Sequence, residues 1–218
     1  MDLVLLFDLD GTLTDSREGI VKSVRYALEK LSLPIPPEET LLRFIGPPLE
    51  DSFQRCCGLT EAGAAEAVRL YRERYNPIGV YENLPAPGLA EYCRQWRAEG
   101  CRLALASSKP EHLCEKVCVR FGFAESLEVI AGSQPGAGMT KADVIRLAME
   151  RLGLTEAEKR RTVMIGDRKF DVEGAAECGL PCVGVEFFGY AAPGELAKAG
   201  AAAVVQTPEE LEADILNH

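Results

Sequence analysis

Two aspartates, Asp8 and Asp10, follow directly on the apolar run Leu3-Val4-Leu5-Leu6-Phe7 and precede Gly11-Thr12-Leu13-Thr14-Asp15. At the end of a strand, residues two apart project to the same side, so both carboxylates face one crevice with Leu9 turned away. Such a pair suits a hard divalent cation. Mg²⁺ is usually held by one or two carboxylates together with phosphate oxygens and water, which makes phosphoryl transfer the chemistry to expect. Taken alone, an Asp-x-Asp-Gly segment is equally a solvated turn. Further on, Gly166-Asp167-Arg168-Lys169-Phe170-Asp171 brings two more acids behind another apolar run. Between the acidic segments lie Ser107-Ser108-Lys109-Pro110 and Lys141. A hydroxyl and free backbone N–H groups ahead of a helix can hold phosphate oxygens, although a Ser-Ser-Lys-Pro turn is commonly a plain helix cap. Lys141 follows Thr140 just inside a predicted helix, where the macrodipole disfavours a cation. A nearby anion would explain it, and a solvated surface lysine is the alternative.

These residues need elements that bring them to one edge. Five consecutive apolar residues closed by a Gly-containing turn fit a strand covered on both faces, as in a parallel sheet. Ligands of open α/β sheets bind outside the carboxyl ends of the strands. No convincing strand follows over 15–81. There, Ile20, Val24, Leu28 and Leu31 recur at helical spacing behind Ser16 as N-cap, and further helices are predicted over 37–44, 47–57 and 60–75, separated by Gly46-Pro47-Pro48 and Gly58. From residue 88 onward strands alternate with helices. Strands are predicted over 102–106, 127–131, 162–165, 182–185 and 202–205. Helices are predicted up to 99, over 110–121, 141–152, 171–178 and 194–199, and from 208. This rhythm is that of a Rossmann-like α/β fold, a parallel sheet with helices on both faces. The predicted division is a core of 1–14 and 82–218 with a helical insertion, 15–81. The Gly-rich segment 132–138 lacks the Gly-Lys-Ser/Thr ending of a nucleotide P-loop.

Composition narrows the function. With 24 Lys+Arg against 34 Asp+Glu, the net charge of -10 repels nucleic-acid backbones and anionic membrane surfaces, so neither is an expected partner. No stretch reaches the roughly 20 apolar residues of a membrane span, and the N-terminus does not resemble an export signal, so a cytoplasmic location is expected. In that compartment the eight cysteines are read as reduced. Cys56-Cys57, and Cys114 with Cys118, lack the spacing of a zinc site.

Asp8-Leu9-Asp10-Gly11-Thr12-Leu13, Ser107, Lys141 and Gly166-Asp167 with Asp171 together resemble the four ordered motifs of the haloacid dehalogenase superfamily of phosphohydrolases. The resemblance spans the whole chain. The insertion resembles the helical cap of the branch that contains phosphoglycolate phosphatases, β-phosphoglucomutases, phosphonatases and some nucleotidases. Within it, Phe44-Ile45-Gly46-Pro47-Pro48-Leu49 and the segment from Gly166 to Asp171 look most like bacterial phosphoglycolate phosphatases or 5′-nucleotidases.

The resemblance implies Asp8 as nucleophile and Asp10 as general acid and base. It implies Mg²⁺ on the Asp8 carboxylate, the Asp10 backbone carbonyl and Asp167, with Asp171 behind them. Ser107, the Ser108 backbone N–H and Lys141 would bind the phosphate oxygens, with Lys109 and Lys169 as competing cations. The substrate would be a small phosphorylated metabolite and the protein a monomer or homodimer. Arg43 and Phe44 are candidates for selecting the substrate, since Arg can read a carboxylate or second phosphate, the plainer readings being a solvated helix residue for Arg43 and insertion core for Phe44. A phosphoglycolate-phosphatase-like activity is expected first, then 5′-nucleotidase, then a β-phosphoglucomutase-like mutase, which shares all four motifs. Asp10 argues against halide chemistry, and the only insertion lysines, Lys22 and Lys30, lack the activating neighbours a phosphonatase needs. The non-enzyme alternatives are a phosphoacceptor receiver domain and a silent binding protein of the same fold. A receiver, however, has neither the insertion nor a second acidic motif.

Overall fold

The computed structural model describes residues 2–134 and 138–216. The chain divides into two compact units, Met1–Thr14 with Pro85–His218, and Asp15–Leu84. The crossings between them, β2 (Thr14–Asp15) and β3 (Leu84–Pro85), form a two-stranded ladder.

The larger unit is built on a six-stranded parallel sheet. Its strands are β1 (Val4–Phe7), β4 (Arg102–Pro110), β5 (Val129–Ser133), β6 (Thr162–Gly166), β7 (Cys182–Val185) and β8 (Ala203–Val205), in the order β5-β4-β1-β6-β7-β8. The five apolar residues at the start are the reason β1 lies centrally: a strand with no polar face is stable only between two neighbours and two helical layers. It pairs through Val4↔Arg102 on one side and Val4↔Thr162 on the other.

Helices cover the sheet: α5 (Leu89–Ala98), α6 (Glu111–Arg120), α7 (Lys141–Leu152), α8 (Glu156–Lys159), α9 (Lys169–Glu177), α10 (Glu195–Ala199) and α11 (Pro208–Leu216). On one face Val4, Leu6, Ala104 and Met164 pack with Val144, Ile145 and Ala148 of α7 and with Val172 and Ala175 of α9. On the other, Phe7 stacks on Trp96 with centroids 6.0 Å apart. Truncating such a buried aromatic costs about 3–5 kcal/mol.

Three expectations shift. β4 runs to Pro110 rather than stopping at Ala106, because Ser107 pairs with Gly132 and the strand irregularity comes only between Ser107 and Pro110. Only glycine fits opposite it, since a Cβ at Gly132 would lie 2.4 Å from the Glu111 Cα. β5 begins two residues later than predicted. The Leu127 N–H is spent on the Phe123 carbonyl, closing the turn after α6, and Glu128 is the first residue to bond to β4's Leu103. The short α8, which the apolar pattern does not signal, is held by a capping box of Thr155 and Glu158. Of the Gly-rich segment 132–138, Gly132 lies in β5, whereas 135–137 fall outside the described residues.

The smaller unit contains α1 (Arg17–Lys30), α2 (Glu38–Leu42), α3 (Leu49–Cys57), α4 (Glu61–Tyr75) and a 3₁₀ turn, Gly79–Tyr81. Its core gathers Ile20, Val24, Leu28, Leu41, Phe44, Phe53, Val68 and Tyr71. Ser16 occupies the N-cap position of α1, but its hydroxyl makes no capping bond; Asp15 Oδ1 accepts from the Arg17 N–H at 3.0 Å instead. Gly19 lets α1 approach the 3₁₀ turn, for a Cβ there would stand 2.0 Å from the Gly79 carbonyl oxygen.

Candidate active site

The carboxyl ends of β1 and β6 place Asp8 and Asp167 on adjacent strands. The Asp8 N–H still donates to the Ile165 carbonyl, at 2.9 Å, so the ladder positions Asp8 directly. After it the chain folds back tightly: the amides of Thr12 and Thr14 both reach the Leu9 carbonyl, and the Gly11 N–H reaches the Thr14 carbonyl. Gly11 has φ +94°, and a Cβ there would lie 2.2 Å from Asp167 Oδ2, so the turn needs glycine on both counts. Leu9 and Leu13, fully buried, fix the loop from beneath.

Asp171 stands in the first turn of α9, and Gly166 makes room for it: a Cβ at 166 would lie 2.3 Å from the Asp171 Cγ. Both of its oxygens are engaged. Oδ1 is 2.6 Å from Lys141 Nζ, and Oδ2 accepts the Arg168 N–H at 2.9 Å. Lys141, the first residue of α7, is 8% exposed and also reaches Asp8 Oδ1 at 2.7 Å. Burial alone would lower its pKa, but the carboxylates of Asp171 and Asp8 outweigh this and raise it. The unfavourable position at a helix N-terminus is therefore offset by two buried anions.

Asp167, 2% exposed, accepts from the Thr12 hydroxyl at 3.1 Å through Oδ1, while Oδ2 has no hydrogen-bond partner. Burial first, then the charges of Asp171 and Asp8, push Asp167 well above the usual carboxylate range. Oxygens of Asp8, Asp167 and Asp171 lie within 4.8 Å of one another. Crowded carboxylates with an orphaned buried oxygen and only oxygen donors fit a hard divalent cation. Because both Asp171 oxygens are already bound, Asp8 and Asp167 are the better ligands.

Asp10 is gripped through both oxygens by Lys109 Nζ, at 2.9 and 2.8 Å, with both side chains largely buried. The amino-acid sequence offers Lys109 only as a rival phosphate cation. Its pairing with Asp10 depends on the extra length of β4, which carries it up beside the loop after β1. Ser107 is buried at the same edge and its Oγ accepts the Lys109 N–H at 3.4 Å, while Ser108 is exposed. Lys169 is exposed, with its ammonium 5.4 Å from the centroid of the Phe170 ring. In the smaller unit, Phe44 takes the packing role rather than the substrate-facing one. It is buried, edge-on to Phe53 with centroids 4.9 Å apart, and serves as packing. Arg43 is exposed and lies 3.7 Å from Glu39.

The family model for haloacid dehalogenase-like hydrolases matches residues 5–185. The chain belongs to the haloacid dehalogenase-like hydrolases. It is 40% identical over 193 residues to a 5′-nucleotidase of Pseudomonas aeruginosa, covering 88% of this chain and 86% of that one. It is 39% identical to the tyrosine-protein kinase PtkA of Mycobacterium tuberculosis over 83% of this chain, and the match spans only 60% of PtkA. The crystal structure of a predicted phosphatase from Clostridium acetobutylicum superposes with a TM-score of 0.91 at 38% identity, over 100% of both chains. This haloacid dehalogenase-like hydrolase is accordingly a phosphatase. Among its described residues no helix is long and apolar enough to cross a membrane.

Proposed function

We propose that the chain is a Mg²⁺-dependent phosphomonoesterase working through an aspartyl-phosphate. The observation that carries this reading is Lys141 bridging Asp8 and Asp171 beside the unpartnered oxygen of Asp167. In the proposed reaction an Asp8 carboxylate oxygen attacks phosphorus as the bond to the leaving oxygen breaks, and Asp10 gives its proton to that oxygen. Asp10 then takes a proton from water as the water oxygen attacks phosphorus. The acyl phosphate bond breaks, inorganic phosphate leaves and the Asp8 carboxylate is restored.

Lys141, Ser107 and the Ser108 N–H would hold the non-bridging oxygens, where charge accumulates in the transition state. Asp8, the Asp10 backbone carbonyl and Asp167 would hold Mg²⁺, whose charge lets an anionic nucleophile approach an anionic ester. Asp171 would keep Lys141 in place, and the unit 15–84 would serve as the cap. Lys109 adds one requirement to this scheme: it must release Asp10 for the carboxyl group to carry a proton.

Nucleoside 5′-monophosphates lead the proposed substrates, on the strength of the 40% identical 5′-nucleotidase, and 2-phosphoglycolate comes next. The test is phosphate release, with and without Mg²⁺, from nucleoside monophosphates, 2-phosphoglycolate, sugar phosphates and pyrophosphate, with Asp8→Asn as control. Hydrolysis that needs both Mg²⁺ and Asp8 supports the mechanism. Equal phosphate release by wild type and Asp8→Asn removes Asp8 as nucleophile.

A further inference from the structure

The chain leaves β7 through Glu186-Phe187-Phe188-Gly189-Tyr190, three aromatic rings within four residues. β7 lies beside β6 in register, Ile165 against Val183, so this segment emerges next to the loop that carries Asp167. Tyr190 is at the site itself. The Cβ that Gly11 lacks would come within 2.6 Å of Tyr190 Cδ2 and 2.2 Å of Asp167 Oδ2, so ring edge and carboxylate share one small volume. Phe188 leans on Tyr190, with centroids 6.2 Å apart at 37°, and Phe187 meets Phe188 edge-on at 6.4 Å. None of the three rings is fully buried.

The segment is fastened to the acidic loop. Glu195 accepts from Arg168 Nε at 2.9 Å and the Lys169 N–H at 3.0 Å through one oxygen, and from the Ala192 N–H at 3.1 Å through the other. Burial opposes the charge on Glu195, yet these donors hold its pKa below the usual range. The rings are therefore a fixed wall beside the carboxylates.

Partly exposed aromatic rings beside a charged site can take part in stacking with a planar ring. On the same side the guanidinium of Arg168 is engaged by Glu195. We propose that Phe188 and Tyr190 line the place of the leaving group and select phosphate esters whose leaving group carries a flat ring, the nucleoside class, over small anionic ones. This rests on the phosphatase reading above and assigns specificity to the loop after β7.

The experiment compares kcat/KM for AMP and for 2-phosphoglycolate in wild type, Phe188→Leu, Tyr190→Leu and Tyr190→Phe, and measures competition by adenosine, which lacks the phosphate. Stacking of one base corresponds to about a 5- to 150-fold effect. The AMP to 2-phosphoglycolate ratio should fall by that factor in the two Leu variants and be kept in Tyr190→Phe, and adenosine should compete against AMP. An unchanged ratio in the Leu variants overturns the proposal. So does failure of adenosine to compete in the wild type, a result that needs no variant to fold. If AMP is hydrolysed through Asp8 but adenosine does not compete, the wall alone is wrong. If wild type releases no more phosphate than Asp8→Asn, the phosphatase mechanism falls and the wall with it.

Discussion

Replacing Lys141 with Met removes the cation that the structure sets between Asp8 and Asp171, at 2.7 and 2.6 Å. Breaking a buried ion pair by deleting one partner costs about 3–5 kcal/mol, because the remaining charge stays buried and unpaired. In a chain of 218 residues each kcal/mol moves Tm by about 2–4 °C, so a fall of about 6–20 °C is expected in metal-free buffer. The pH dependence follows from the acids left behind. Asp171 and Asp167 are already raised by burial, and without Lys141 they bind protons more readily in the folded state than in the unfolded one. Stability of the variant must then decline as pH rises above the unfolded carboxylate pKa of about 3.9. Lys141 itself is raised, so its contribution is fully present below its unfolded pKa of about 10.4 and is lost only at higher pH. The deficit of the variant is therefore larger at pH 7 than at pH 5. Catalysis should fall by about 10²–10³ in kcat/KM, as when one transition-state donor is removed. Adding Asp171→Asn should return part of the stability and none of the rate. Thermal melts at both pH values, with phosphate release as the second readout, test the reasoning. A variant that melts with the wild type at pH 7 and keeps its rate refutes it.

Gly11→Ala would place a Cβ 2.2 Å from Asp167 Oδ2 at a φ of +94°. Regaining van der Waals distance means a shift of about 1 Å, for which about a 10²-fold loss of kcat/KM is expected, and steady-state kinetics near wild type would mean that the Asp167 position does not matter. Mg²⁺ should raise Tm at pH 7.5, by the equivalent of about 2.7 kcal/mol at a hundred times its Kd. The gain should shrink toward pH 5, because Asp167, raised by burial and by Asp171 and Asp8, takes a proton in competition with the cation; equal gains at both pH values contradict this. All eight cysteines are free thiols. Cys93, Cys101, Cys114, Cys118 and Cys182 are buried, with burial pushing Cys118 up to about 12, so a thiol reagent should reach Cys56, Cys57 and Cys178 first and the other five only on unfolding.

The sheet was readable because a strand covered on both faces must be apolar throughout: β7 has the boundaries its apolar run predicts, β1 starts one residue inside the run Leu3–Phe7, and α7 runs from Thr140 as cap to Gly153 as stop. The segments that moved are those where tertiary pairing recruits polar residues into an element, as Gly132 does for Ser107 in β4. A similar distinction separates the site residues. Asp8, Asp167 and Lys141 each stand where a local rule makes them costly, a carboxylate closing an apolar strand or a lysine opening a helix, and that cost is visible in the sequence. Lys109 and Glu195 violate no such rule. A lysine before a proline and a glutamate in the first turn of a helix are locally unremarkable, and their meaning comes from partners 99 and 27 residues away. Phe188 and Tyr190 belong with them. An aromatic run after a strand reads as packing, and only the glycine-sized gap at residue 11 ties it to the carboxylates. The acids and the lysine that announce phosphoryl chemistry are thus written locally, while Lys109, which holds Asp10, and the Tyr190 ring beside Asp167 emerge only once the strands are aligned.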